Sequence, residues 1–594
     1  MLSPPINAWP NTPEHENAVF FAQAIHGFLN QGSFEGFRSY SLDTLGRLQE
    51  AIQVSNAVLG KRMKEVVLPP VVAELAWSLE NDEAALAISR PQVMHFIEIS
   101  KGQKIKPHDV LYASTSLLNK LTNKYREVLT GILLDEIRVG GRKHVILNTT
   151  GFLVSNLISS GFDRNFLIDC VEDQLLTKEI TENAWDVVKQ FTRQFSLTKK
   201  KFKVIYLVNR PLADILKVDS DWSIVEEEQL PEHAKKQIKD WGEVRPADMV
   251  IAQSEVAAAD PFSATVQAFL ALDQAKAITV LQVEQEENRH SDFSYVYLAK
   301  SARSGTALRM YHDVPGVKKV DSIVSGHSRR SSQKIISNLQ KSFSESSRER
   351  IARAMATANV ISESRQDEVS LISLWSTIEI LLGDPPDFDS RISHFLKLLV
   401  PLVVVRYHRR IFAALHDQIT VTYPKSFQAI VRKLKIETTG TSHTLFAKLM
   451  LLPEHEALRM EVIGLLGENP LLRHRLGRVQ GQYRTPREAL KTVQGHASRV
   501  EWHLNRIYRT RNTLVHAGEN PPYTESLVQN TLEYFRSAVL NIIRVGSKSP
   551  CDADLDQVIA EIGFDWAIVQ RHLTANQKES EFSNELVTAV FKEL

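Results

Sequence analysis

Thr485-Pro486-Arg487-Glu488 opens, and Tyr508-Arg509-Thr510-Arg511-Asn512-Thr513-Leu514-Val515-His516-Ala517-Gly518 closes, the segment whose reading settles how the C-terminal third of this chain folds. Threonine supplies a cap, proline takes the first helical position, and glutamate at the third bonds back to the cap. Leu490, Val493, Ala497, Val500, Leu504, Ile507 and Tyr508 continue as an apolar stripe at helical spacing. One long helix is therefore expected to run into the motif and end near Gly518, with Pro521 and Pro522 beyond it. A further helix from about Thr524, carrying Leu527, Leu532, Phe535, Val539 and Ile542, packs back on it.

The closing stretch sets a guanidinium, an amide and an imidazole together at a helix end. Asn512 and His516 are four apart and share a face, whereas Arg511 is rotated by about 100° from Asn512 and needs its long stem to reach the same spot. An imidazole, with an ordinary pKa of about 6.5, can take the proton of a ribose 2′-hydroxyl at neutral pH. A guanidinium can hold the charge that builds on the attacked phosphate. Leu514 and Val515 are expected to pack inward.

Spacing by itself separates little, because Arg90/His95, Arg138/His144 and Arg410/His416 show it too. The adjoining Asn512, Tyr508 three residues before the arginine, and the position between two strong helices set Arg511/His516 apart. With Val369-Ser-Leu-Ile-Ser-Leu-Trp375-Ser-Thr-Ile-Glu379-Ile-Leu-Leu-Gly383, the region from about Arg348 to about Arg544 resembles a HEPN domain of the Apea-like kind. Members of that family are helical bundles that often act as metal-independent ribonucleases in prokaryotic antiviral and toxin systems.

The resemblance implies an active site of Arg511, Asn512 and His516, paired across a homodimer so that a second His516 protonates the leaving 5′-oxygen. It implies RNA as substrate, transfer RNA by family analogy, with no metal and no cofactor. Glu379, a carboxylate on an apolar helix face, needs a partner: either it fixes an active-site arginine or it bridges two helices. From Leu471 to Arg511 ten Arg or Lys residues stand against two glutamates, and Arg506 and Arg509 are the candidates to hold flanking RNA phosphates.

The rest of the chain sets the context. At 594 residues it exceeds one core and divides into several domains. Its net charge of +1 provides no global field to attract a polyanion. Two cysteines almost a chain apart, Cys170 and Cys551, exclude a disulfide framework or a cysteine-rich zinc site, and the start, Met1-Leu-Ser-Pro-Pro, is not a secretory signal. A cytoplasmic location fits. The most apolar run, Phe395 to Val405, is about half a membrane span and carries Lys397 and Pro401, so it reads as buried core and no membrane partner is expected.

The expected fold is α+β and multidomain: a mixed α/β N-terminal region followed by an all-α HEPN bundle. Residues 1–100 form a small helical or mixed unit that includes a helix over Ala18 to Leu29. Residues 101–322 form an α/β or α+β domain, with strands at Val145-Ile-Leu-Asn148, Val204 to Val208, Ile278 to Val283 and Tyr295 to Leu298. That domain also carries a helix with the stripe Ala184, Val187, Val188, Phe191 and Phe195, and another capped by Asp260-Pro261. The Thr198 to Lys203 lysine run reads as a solvated strand edge. Residues 323–347 read as a basic serine-rich linker, 348–546 as the bundle with its RNTLVH motif, and 547–594 as a helical extension.

Three functions follow in order. The first is a metal-independent endoribonuclease for antiviral defence or growth arrest, with a phage-derived trigger sensed by the region before residue 322. The alternative is a noncatalytic RNA- or nucleotide-binding and dimerisation module. In the third, Arg511, Asn512 and His516 are a buried hydrogen-bonded network at a helix end.

Overall fold

The computed structural model describes every residue except 1–7, 11, 31–41, 182, 219–220, 241–248, 279–288, 301–303, 310–325, 361–365, 385–390, 438–440, 468, 519, 522, 549–551 and 592–594. It divides into two units: Met1–Ser155, Glu179–Trp185 and Asp313–Leu594 form the first, and Asn156–Lys178 with Asp186–His312 form the second. The chain is thus α+β, and no described helix is long and apolar enough to cross a membrane.

The second unit is built on β1 (Lys200–Asn209). This strand pairs antiparallel with β3 (Met249–Ala258) on one side and with β4 (His290–Leu298) on the other. β2 (Trp222–Val225) and β5 (Gly305–Arg309) complete an antiparallel sheet of order β2-β3-β1-β4-β5. Antiparallel pairing decides between the two expected classes in favour of α+β. Alternation explains why β1 is central. Phe202, Val204, Tyr206 and Val208 face Ala264, Ala268, Phe269 and Leu272 of the helix Pro261–Ile278, while Ile205 and Leu207 face Leu230, Ala234 and Ile238 on the other side. Full burial of such side chains stabilises by roughly 1.5–3 kcal/mol each.

Asp260 caps the helix Pro261–Ile278 as read from the sequence, its Oδ1 accepting from Ser263 N–H at 2.9 Å. The lysine run lies on the exposed end of β1, where Lys201 pairs with Glu255 at 2.8 Å. The expected strand at Ile278 to Val283 falls largely outside the described residues. Cys170 is buried and its thiol is pushed up to about 12 by that burial.

The first unit is helical, and it corrects three expectations. Val145 to Asn148 belongs to the helix Lys143–Ser159, where Thr150 Oγ1 donates to Ile146 O at 2.6 Å. A four-residue apolar run does not distinguish a strand from one buried turn of helix. Residue 100 is no boundary: the helix Thr44–Leu59 packs on the helix Pro107–Leu121, and Tyr125 donates to the buried carboxylate of Asp82 at 2.6 Å. The first 155 residues therefore join the C-terminal part, and the mixed α/β character begins only after them.

The expected linker, where described, contains the helix Gly326–Ser342, which sets Ile335 and Leu339 against the core. Residues 547–594 also share that core. Val558, Ile562 and Trp566 of the helix Leu555–Ala575 sit in one cluster with Trp375, Phe395, Leu504 and Phe535.

Candidate active site

The helix Pro486–Ala517, here the motif helix, starts and ends on local signals. Thr485 Oγ1 accepts from Glu488 N–H at 3.2 Å, and Gly518 closes the far end at φ +67°, its N–H donating to Leu514 O at 3.1 Å. That left-handed closure favours glycine. Leu514 is buried as expected. Val515 is 45% exposed, which corrects its inward reading.

Arg511 is held from beneath by the helix Asp367–Leu382. Trp375, fully buried, stacks at a tilt 5.3 Å from the Tyr508 ring, and its Nε1–H donates to Glu379 Oε1 at 3.0 Å. The other oxygen of Glu379 lies 3.8 Å from Arg511 Nη2, and Arg511 Nη1 donates to Asn512 Oδ1 at 3.1 Å. The chain Trp375–Glu379–Arg511–Asn512 thus joins three of the residues read from the sequence to a tryptophan. Of the two roles weighed for Glu379, the bridge between two helices is present, because its carboxylate faces an arginine of the motif helix. At 3.8 Å it attracts Arg511 without hydrogen-bonding it, and Arg511 Nε has no hydrogen-bond partner among the described residues.

His516 is exposed one turn beyond Asn512 on the same helix face. Exposure does not fit the reading of a buried structural network. Asn520, just past the helix, hydrogen-bonds Glu368, tying the following segment to the start of the Trp375 helix. Beside Glu368, burial and that neighbouring charge push the Asp367 carboxyl up to about 6.

Arg506 and Arg509 are placed elsewhere, which corrects their assignment to RNA phosphates. Arg506 is 1% exposed and lies between two carboxylates: Nη2 is 2.6 Å from Glu50 Oε2 and 2.7 Å from Glu74 Oε2, with Nε and Nη1 each 3.0 Å from a further oxygen. Arg509 pairs with Glu50 at 2.7 Å, and Arg47 pairs with Glu74 at 3.1 Å. Burial would raise the Glu74 carboxyl, but Arg506 and Arg47 draw it down to about 2. Burial would lower Arg506, but Glu50 and Glu74 hold it above the ordinary guanidinium range. A face that points into N-terminal helices cannot meet a polyanion. The basic balance of 471–511 shrinks further because Arg475 is buried and Arg473 pairs with Glu16 at 2.8 Å.

This buried cluster escaped the sequence reading, although a signal was there. Glu74 stands in the apolar helix Leu68–Glu80 between Ala73 and Leu75, and a carboxylate in such a place requires a cation. Among the described residues, His416, Asp417 and His443 could hold a metal ion, their donor atoms lying within 4.8 Å of one another. They belong to other helices than the motif and share hydrogen-bonding geometry, with His416 Nδ1 2.9 Å and His443 Nε2 3.4 Å from Asp417 Oδ1.

Comparison of the chain with protein-family models, with curated proteins and with solved structures found no match in any of the three.

Proposed function

We propose that this chain is a metal-independent endoribonuclease of the HEPN kind, acting in prokaryotic antiviral defence or growth arrest. The observation that carries the reading is an exposed His516 one helical turn beyond Asn512, on the helix whose Arg511 guanidinium is held by Asn512 and faces Glu379. In this reading the His516 imidazole takes the proton of a ribose 2′-hydroxyl. The resulting oxygen attacks the adjacent phosphorus, and Arg511 holds the charge on the equatorial oxygens. Breaking the bond to the 5′-oxygen requires a proton, which a second copy's imidazole supplies in a homodimer. The products are a 2′,3′-cyclic phosphate and a 5′-hydroxyl. Transfer RNA is the first substrate to try, and a phage-derived trigger is the first activator.

Purified full-length chain is incubated with total RNA in EDTA, beside His516→Ala, and the RNA ends are sequenced. The reading expects cyclic phosphate ends from the wild type and none from the variant. RNA retained but uncut by both proteins would instead identify a noncatalytic RNA-binding and dimerisation module. Cleavage that stops in chelator, or that survives His516→Ala, rejects the proposed chemistry.

A further inference from the structure

A cavity of about 420 Å³ lies in the first unit between the helix Tyr407–Thr422, the start of the helix Ser442–Leu451 and the helix Thr524–Gly546. Its charged lining is one-sided. Arg406, Arg409, Arg410, Arg536 and Arg544 face it, and among the described residues Glu533 is the one carboxylate there. None of these residues takes part in the chemistry proposed at His516.

The arrangement is costly as it stands. Arg410 is partly buried, its Nη1 donating to Ser537 Oγ at 3.2 Å, and desolvation, partly offset by Glu533, pulls its guanidinium down to about 10. The buried Nε of Arg406 has no hydrogen-bond partner among the described residues. Arg544 is steered by Asn541, whose Oδ1 accepts from its Nη1 at 3.1 Å. Arg536 stays 3.9 Å from Glu533, beyond hydrogen-bond reach. Five like charges around one carboxylate repel one another, and an anion among them would relieve the repulsion.

We infer that this cavity binds a small molecule that carries phosphate groups on a flat or apolar body. Guanidinium forks match the oxygens of a phosphate in pairs. The volume falls in the range of small-molecule sites, roughly 300–1,000 Å³. Phe412 and Phe591, with ring centroids 4.9 Å apart, give the cavity an apolar wall that inorganic phosphate would leave unused. The ligand is therefore an organic polyphosphate, and the proposal does not depend on the nuclease reading.

The test is titration calorimetry of the full-length chain at low salt with inorganic triphosphate, with ATP as an organic triphosphate, and with a short oligodeoxynucleotide as a source of phosphodiesters. Arg406→Gln and Arg536→Gln are titrated in parallel, with circular dichroism to show that each is folded. Arg536 is two-fifths exposed, so its variant is not expected to disturb the core. The expected result is that ATP binds at least as tightly as triphosphate and that each substitution weakens both by about tenfold, the loss of one charge-assisted hydrogen bond. The proposal is overturned if neither triphosphate nor ATP binds the wild type, if both variants bind as the wild type does, or if the oligonucleotide alone binds.

Discussion

Arg506 on the motif helix meets Glu74, 432 residues earlier in the chain, through two near-parallel hydrogen bonds: Nη1 to Oε1 at 3.0 Å and Nη2 to Oε2 at 2.7 Å. Arg511 is the fifth residue after Arg506. The N-terminal helices are therefore bolted to the same helix that carries the candidate catalytic group. Deleting residues 1–322 would remove both Glu50 and Glu74, with the helices that carry them, and uncover the face of the motif helix that holds Arg506 and Arg509. Such a deletion tests folding before it tests regulation.

The first prediction follows from the charge count of that cluster. Arg47, Arg506 and Arg509 face Glu50 and Glu74, so removing a carboxylate worsens an existing positive excess while removing Arg506 cancels it. Glu50→Gln is expected to lower unfolding free energy by about 3–5 kcal/mol, the usual cost of stranding a buried charge. Arg506→Met, similar in length and apolar, is expected to cost less. Urea denaturation of the two variants checks the order, and the reverse order would contradict the account.

Stability should also fall on mild acidification. Burial pushes His408 down to about 3 and His503 to about 4, and it holds His496, stacked 3.6 Å from the Tyr407 ring, well below its ordinary value. These groups are neutral when folded and take up protons when unfolded. Their contribution is complete above about pH 6.5 and is lost as pH falls toward their folded values, at about 1.4 kcal/mol per pH unit for each on the slope. Asp367, raised to about 6, and Asp82, Asp169 and Glu501, raised by burial, act in the opposite sense between their ordinary values and their folded ones. The three histidines lose stability over the whole span below about pH 6.5, whereas each carboxyl gains only below its folded value, so the urea midpoint at pH 5 is expected below that at pH 7. Below about pH 4.5, protonating Glu74 removes more, because its folded value is about 2. A midpoint that rises on acidification to pH 5 would refute the assignment.

Stability and cleavage should separate at the candidate site. His516 is exposed, so His516→Ala is expected to change unfolding free energy by no more than about 0.5 kcal/mol. On the proposed chemistry, the same change lowers RNA cleavage by roughly 10²–10⁴-fold. Glu379→Gln keeps an acceptor for Trp375 Nε1 and removes the charge that aims Arg511. It acts through positioning: cleavage at saturating RNA is expected to fall while the Michaelis constant stays near the wild-type value. Equal cleavage by wild type and His516→Ala would end the proposal.

Gly518 supplies a smaller and cleaner test. Its φ of +67° is the left-handed region, and an added Cβ would meet nothing within 4 Å, so the penalty is conformational and not steric. Gly518→Ala is expected to destabilise by roughly 1–2 kcal/mol. Gly518→Asn should cost less, because asparagine tolerates this conformation. Thermal unfolding of the pair decides it, and equal losses would argue against a left-handed closure.

The ends of the motif helix, the cap at Asp260, the central strand at Val204 to Val208 and the shared helix face of Asn512 and His516 were all readable from the chain. Each depends on neighbours within about one helical turn or on strict alternation. Glu379 was legible as a carboxylate in need of a partner, though its partner was not fixed. The helix at Val145 and the docked helix after Gly326 were misread, because a short apolar run and a serine-rich composition carry no periodicity of their own.

What the sequence by itself determined is where helices start, stop and turn their apolar faces, since capping and spacing are local. Tertiary structure alone decided that Arg506 and Arg509 lie buried against Glu50 and Glu74 while Arg511, a few residues on, meets Glu379. It also decided that the first 155 residues complete the C-terminal bundle. Three arginines within one and a half turns look alike in the chain. Which arginine meets which carboxylate depends on helices brought together from hundreds of residues away, because an ion pair forms between surfaces and no local rule names the partner.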